Sequence, residues 1–227
     1  MQISVIIPAY NEASNLPKCL EPLCKKGMEI IIADSPNSND RTKEIADSQG
    51  IVYLKTTKAG RNHQMNEAAS ISKGEILYFV HADTLVSNDF DVDIIKAIEE
   101  GADLGCYRYK FDHYPTVLLY INSFFTRFPM LWCRGGDQTL FIKRSVFEKL
   151  GGFSETHSIM EDYDLIKRAK AAFKFKIIPK DVLVSSRKYI KNSYFEVQMA
   201  NYKVMKKYLS GNYDPENLKK MYQNLLK

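Results

Sequence analysis

The stretch Glu75–Thr84, EILYFVHADT, is apolar from Ile76 to Val80 and then turns at once to His81, Ala82, Asp83 and Thr84. A strand with one wet face alternates apolar and polar side chains, whereas an unbroken apolar run belongs to a strand covered on both faces. In an extended chain residues two apart share a side, so His81 and Asp83 are expected to converge on one cation while Ala82 faces away. The alternative for the same residues is a polar strand end turning into solvent.

The pattern recurs upstream. ISVIIPA and MEIIIAD read as strands, IVYLK as a shorter one. Between them lie an amphipathic helix with Leu16, Cys19, Leu20 and Leu23 on one face, a helix near Thr42–Ser48 and another near Arg61–Ser72. Apolar strands alternating with helices predict an α/β fold with a mostly parallel sheet flanked by helices, and ligands of such sheets sit beyond the strands' carboxyl ends. The clearest strands end in PAYNE, ADSPNSND and HADT, which supply polar and acidic groups there. No G-x-G-x-x-G follows the first strand and no G-x-x-x-x-G-K-[ST] occurs, which excludes the usual dinucleotide and P-loop sites.

The second half is less regular. DLGCYRYKF and QTLFIK read as strands, residues near Pro115–Thr126 as a helix, and RSVFEKLGGF as a short helix in which Ser145 and Glu148 have capping-box spacing. A helix over Glu161–Ala172 precedes FKIIP and VLVSSRK, read as separate segments. Two basic helices close the chain, the last starting at Asp214-Pro215, a cap followed by proline.

The 227 residues are 45% hydrophobic with net charge +5, enough for a sizeable core and suited to anionic ligands or an acidic membrane surface. The charge is too dispersed for a nucleic-acid binder, and no nucleic-acid partner is expected. The four cysteines, Cys19, Cys24, Cys106 and Cys133, lack zinc spacing and read as reduced thiols of a cytoplasmic protein. The N-terminus has no basic leader pattern, and VLLYINSFFTRFPMLWC is interrupted by Asn122, Arg127 and Pro129, so no span is expected.

Four ordered motifs, SVIIPAYNEASNL, HADT, DQTLFIKRSVFEKLGGF and MEDYDL, resemble the family-2 glycosyltransferases over about the first 190 residues. GRNHQMNEAASISKGEILYFVHADT and SGNYDPENLKKMY are more narrowly similar to a bacterial subgroup associated with radical-SAM and selenoprotein-like neighbours. The resemblance implies a GT-A catalytic domain over residues 1–190, with 191–227 as a helical appendage. It implies an inverting enzyme that uses a nucleotide-diphospho-sugar, UDP-linked, with Mn²⁺ or Mg²⁺ as cofactor.

Carried over residue by residue, Pro8, Ala9, Tyr10 and Glu12 match the loop that holds base and ribose, and Asp34 the carboxylate that accepts an N–H from the base. DSPNSND departs from the family's glycine-rich turn and leaves the base preference open. Ala82 and Asp83 match the end of the family's D-x-D, with Asp83 a metal ligand. His81 stands in place of the first Asp; it is a ligand, a donor to sugar or phosphate, or a neighbour. Arg61 and Gln64 fall near the donor, and Arg187 matches a late basic residue that meets the diphosphate.

If Ser158 caps the helix at SIMEDYDL, Glu161 closes a capping box and also comes within reach of the acceptor. Asp162 shares the inward face of Leu165 and Ile166 while Asp164 turns outward, so helical phase and resemblance both select Asp162 as general base. Trp132 and Asp137 face the acceptor by analogy.

A nucleotidyltransferase would need a glycine-rich basic first loop, which PAYNEASNL lacks. A non-catalytic nucleotide-sugar binder is the remaining alternative. The acceptor is not written in the sequence; saccharide, lipid-linked and small-molecule acceptors all fit. Phe195, Met199, Tyr202 and Met205/Lys206 run at helical spacing beside Lys203 and Lys207. They either touch an anionic membrane surface peripherally or pack on the sheet domain or on a second subunit of a homodimer.

Overall fold

The computed structural model describes residues 1–227 except Lys25, Gly135–Asp137, Ser158, Lys227 and the side chain of Trp132. Its first half alternates as the apolar runs require: β1 (Ile3–Ala9), α1 (Leu16–Cys24), β2 (Glu29–Asp34), α2 (Thr42–Ser48), β3 (Val52–Lys55), α3 (Arg61–Ile71) and β4 (Ile76–Phe79). Then come β5 (Thr84–Leu85), α4 (Phe90–Glu99), β6 (Leu104–Phe111), α5 (Val117–Phe124), β7 (Leu140–Lys143) and α6 (Arg144–Lys149). The chain ends with α7 (Glu161–Ala169), β8 (Phe175–Val184), α8 (Arg187–Lys191), α9 (Tyr194–Leu209) and α10 (Pro215–Leu225).

One sheet runs β3-β2-β1-β4-β7-β6-β8-β5. β1 is parallel to β2 and β4, and β2 to β3. β7 is antiparallel to both β4 and β6, and β8 is parallel to β6. It follows that β1, β2, β3, β4, β6 and β8 all point their carboxyl ends at one edge of the sheet.

The unbroken apolar runs are explained by two cores. Val5, Ile7 and Tyr78 face α1 and α4 through Leu16, Leu20, Leu23, Phe90 and Ile94. Ile6, Leu77 and Phe79 face α3, α6 and α7 through Met65, Phe147, Leu165 and Ile166. Consecutive strand residues thus enter opposite layers, and each fully buried Ile or Leu contributes roughly 1.5–3 kcal/mol.

Several expectations change. FKIIP and VLV form one strand that stops at Val184, because the register with β6 shifts between Tyr107 and Arg108 and lets Pro179 sit in a bulge. A bulge is where a strand tolerates the missing N–H of proline, and Arg108 donates to the Pro179 carbonyl there. α4 and β5 were not anticipated, although Phe90, Ile94, Ala97 and Ile98 are spaced as a buried helical face. The N-cap position of α6 is Lys143 rather than Ser145, so Ser145 and Glu148 form no capping box. Asp214 does cap α10 above Pro215, accepting from Asn217 N at 2.8 Å.

α9 and α10 pack through Val204, Tyr208 and Leu218 against Ile159, Met160 and Tyr163 at the start of α7. Within the chain, the stripe Phe195, Met199, Tyr202 does not pack on the sheet: all three are exposed, and α9 buries Val197, Ala200, Val204 and Tyr208 instead.

Candidate functional site

The β1 carboxyl end is built from both sides. Pro8 and Ala9 are buried in the strand, Tyr10 is exposed, and Asn11 takes a left-handed φ of 53°. That turn is held by the longer loop after β2: Asn11 N donates to Ser38 Oγ at 3.0 Å, Asn39 N to Asn11 Oδ1 at 3.0 Å, and Ala13 N to Asp40 Oδ2 at 2.7 Å. Burial raises the Asp40 pKa, but hydrogen bonds from Thr42, Ala13 and Ser38 together outweigh it and hold the carboxyl below its ordinary value. The DSPNSND loop is therefore a clamp on the first loop.

Gln64 is a structural part of the same edge. Its amide donates to the Ala9 and Ala33 carbonyls, both at 2.7 Å, so its donors are spent on the ends of β1 and β2.

Asp34 ends β2 in a buried position. Its Oδ2 accepts from Tyr53 Oη at 2.8 Å and Lys55 Nζ at 3.0 Å, while its Oδ1 is buried and has no hydrogen-bond partner among the described residues. Burial first, then Asp34, pushes the Tyr53 phenol above its ordinary value, which keeps it a proton donor. An unmet buried acceptor costs about 1–3 kcal/mol and has lone pairs to offer a ligand N–H.

At the end of β4 the extended geometry stops earlier than the pattern suggests. Thr84 N donates to the His81 carbonyl at 3.0 Å, so His81–Thr84 is a turn, and two-residue alternation does not carry His81 and Asp83 to one side. His81 and Ala82 are buried; Asp83 is partly open. Among the described residues, no group of three or more His, Cys, Asp or Glu side chains stands at metal-ligand spacing. Asp83 fits a cation that draws its other ligands from a diphosphate and water, since a hard divalent ion takes carboxylate oxygen first and imidazole less readily.

Arg187, the first residue of α8, joins these pieces. Its guanidinium forks onto Glu12, with Nη2 to Oε1 at 2.6 Å and Nη1 to Oε2 at 3.1 Å, and Nη2 lies 3.0 Å from Asp83 Oδ2. Cys19 lies close to this pair of carboxylates, its Sγ 3.6 Å from the His81 carbonyl. Burial, with Asp83, Cys24 and Glu12 adding, pushes its thiol to about 12, so it stays an inert core thiol.

The second carboxylate pair starts α7. Met160 is the cap, in a left-handed conformation with φ 64°, so Glu161 is the first helical residue and closes no capping box; Ser158 lies outside the described residues. Glu161 is buried, with neither oxygen hydrogen-bonded among the described residues, and Arg61 Nε stands 2.9 Å from its Oε1 as counter-charge. The contact is an ion pair without hydrogen-bond alignment. It ties the start of α3 to the start of α7.

Asp162 is buried on the face of Leu165 and Ile166, as the phase predicts. Asp164 is half-buried rather than free in water: it binds Arg168, Oδ2 to Nε at 2.8 Å, and Arg168 donates on to the Leu150 and Gly152 carbonyls. Asp137 and the Trp132 side chain lie outside the described residues. The side-chain amides of Asn62 and Asn66, on α3, donate to the carbonyls of Ser154, Glu155 and Phe153. Arg134 was missed altogether: it is buried, with Nη1 2.9 Å from Cys106 Sγ and Nη2 on the Thr126 and Phe128 carbonyls. Nothing in a lone arginine's sequence context signals that burial.

The fold and part of the sequence are shared with known proteins. Among curated relatives, an uncharacterised glycosyltransferase of Haemophilus influenzae is 25% identical over 72% of this chain and 60% of its own length. The 4,4'-diaponeurosporenoate glycosyltransferase of Staphylococcus haemolyticus is 40% identical over 41% of this chain and 27% of its own. The chain thus spans less than two thirds of the length of these relatives. Among solved structures, the mannosyltransferase PcManGT from Pyrobaculum calidifontis, in complex with GDP-Man and Mn²⁺, superposes with a TM-score of 0.68 at 20% identity. That match covers 98% of this chain and 69% of the other. S. aureus TarS 1-349 in complex with UDP gives 0.67 at 16% identity, covering 99% and 70%. The fold shared with these structures is the GT-A α/β fold. The profile described as Glycosyl transferase family 2 matches residues 4–160, more than half of the sequence, and the chain belongs to that family.

Proposed function

We propose that this chain transfers a glycosyl group from a UDP-linked sugar to an acceptor hydroxyl with inversion at the anomeric carbon. The observation that carries this reading is the meeting of Glu12, Asp83 and Arg187 at the strand edge that also holds the unmet Oδ1 of Asp34. A nucleoside diphosphate asks for an N–H acceptor, a ribose contact and cationic charge on the phosphates, and each has a candidate there.

Asp34 receives the base N–H on Oδ1, with Tyr53 and Lys55 holding the carboxylate in place. Glu12 accepts from the ribose. Arg187, neutralising two carboxylates in the free protein, turns to the diphosphate oxygens when the donor enters. Asp83 would hold Mn²⁺ or Mg²⁺, which neutralises charge on the leaving diphosphate. Asp162 takes the proton of the acceptor hydroxyl as that oxygen attacks the anomeric carbon; the bond to the β-phosphate oxygen breaks, and the nucleoside diphosphate leaves. Its place in the first turn of α7 favours the ionised form. Residues 191–227 serve as an appendage that steadies the start of α7.

TarS 1-349 is solved with UDP and PcManGT with GDP-Man, and both bases present N–H donors to a carboxylate. Titration calorimetry with UDP and GDP, each with Mn²⁺, Mg²⁺ or chelator, tests the reading; UDP binding that needs a divalent ion is expected. Binding of neither nucleotide removes it.

A further inference from the structure

β3, VYLK, is an edge strand, and its two-residue alternation puts Tyr53 and Lys55 on one side. The parallel register sets Lys55 opposite Asp34 and Tyr53 opposite Ile32, so both side chains reach the last residue of β2. They meet the same oxygen. Tyr53 Oη donates to Asp34 Oδ2 at 2.8 Å and Lys55 Nζ donates to it at 3.0 Å, while Oδ1 receives nothing among the described residues. A carboxylate oxygen has two lone-pair positions, so Oδ2 is full and Oδ1 is open.

The arrangement is braced on all sides. Lys55 Nζ also donates to the Ser38 carbonyl at 2.7 Å, in the DSPNSND loop, and Tyr53 packs against the core layer of α1 and α4. Thr56 N and Thr56 Oγ1 donate to the Asp34 carbonyl at 2.9 and 3.0 Å and fix the main chain beneath the carboxylate. The Asp34 side chain is 3% exposed, so water does not make up for a hydrogen bond that a ligand fails to form there.

Guanine and uracil ask different things of such a carboxylate. Guanine presents two adjacent donors, N1–H and N2–H, which pair best with both oxygens of one carboxylate. Here its second donor meets an oxygen with no lone pair to give and is desolvated without a partner. Uracil presents one donor, N3–H, between the carbonyls O2 and O4. The single open oxygen satisfies it, and the two donors on Oδ2 offset the repulsion that a bare second oxygen would direct at a neighbouring carbonyl.

We infer that Tyr53 and Lys55 are positioning residues that set base specificity: by occupying Asp34 Oδ2 they leave a one-acceptor carboxylate that selects uracil over guanine. The inference rests on the donor reading proposed above and adds to it the residues that decide between the bases. Both act through Asp34.

Titration calorimetry with Mn²⁺ present compares UDP with GDP for the parent, Tyr53→Phe, Lys55→Met and the double variant. The parent should bind UDP about tenfold or more tighter than GDP. Tyr53→Phe keeps the ring and opens one lone pair of Oδ2; Lys55→Met opens the other. Each single change should move the GDP-to-UDP affinity ratio about threefold toward GDP, and the double variant about tenfold. A tether that only steadies Asp34 would weaken both nucleotides together and leave the ratio where it stood. That result overturns the inference, as does a parent that prefers GDP. Melting temperature checks the fold of each variant, and Tyr53→Phe, which keeps the packing of the ring, decides the matter if loss of Lys55 unfolds the chain. Binding of neither nucleotide by the parent overturns the donor reading and the inference with it, whereas UDP binding with an unmoved ratio overturns the inference alone.

Discussion

Replacing Arg61 with methionine keeps the length of the side chain and removes its charge, which isolates the pair with Glu161. The Glu161 side chain is 1% exposed and Arg61 44%, with 2.9 Å between Nε and Oε1. Breaking a buried ion pair from one side typically costs about 3–5 kcal/mol, because the remaining charge is left uncompensated. Here water reaches the arginine and screens part of the interaction, so roughly half of that, ~2 kcal/mol, is the expected loss. For a chain of this size each kcal/mol moves Tm by about 2–4 °C, giving a fall of roughly 4–8 °C by calorimetry.

The Glu161→Gln background supplies the control. With the buried charge gone, Arg61→Met should cost little, leaving a coupling of ~1–2 kcal/mol in the double-mutant cycle. UDP affinity should change little in Arg61→Met at a temperature where the variant is folded. An unchanged Tm with UDP binding reduced tenfold or more would refute the tie and return Arg61 to the diphosphate.

The other expectations concern the site directly. Asp34→Asn should weaken UDP binding by about 10–100-fold in titration calorimetry, as loss of a charge-assisted hydrogen bond does, with the metal requirement intact. Asp83→Ala should erase the part of the UDP-induced Tm shift that chelator also erases and leave the remainder. Cys19, with its thiol at about 12, should resist maleimide at pH 8 in the native state, whereas exposed Cys24 labels; prompt double labelling would mean that α1 opens. Asp162→Asn should lower turnover by about 10²–10⁴-fold with donor affinity nearly unchanged, whereas Asp164→Asn should lower Tm by releasing Arg168.

What could be read from the sequence was whatever periodicity and punctuation encode. β1 and α2 fall on the residues expected, because an apolar run such as ISVIIPA has one low-energy use between two helical layers. The boundaries failed where a local rule met a tertiary contact. Pro179 reads as a stop, yet a bulge opposite Tyr107 and Arg108 absorbs it. His81 and Asp83 read as a same-side pair, yet the hydrogen bond from Thr84 N to His81 O bends the chain before alternation can act.

The polar residues were legible as a set but not by partner. Arg61, Gln64 and Arg187 all lie near strand or helix ends where anions bind, and sequence treats them as equivalent candidates. The structure spends them differently. Gln64 is used up on two main-chain carbonyls, Arg61 on a buried carboxylate from a helix one hundred residues away, and Arg187 on two carboxylates of the site edge itself. Arg187 stays half-exposed between two carboxylates of the site edge, while Arg61, also part-exposed, meets one buried carboxylate at the start of α7. Distance in sequence hides this distinction, because each partner is chosen by the packing of α3, α7 and α8 around one sheet edge rather than by any local pattern.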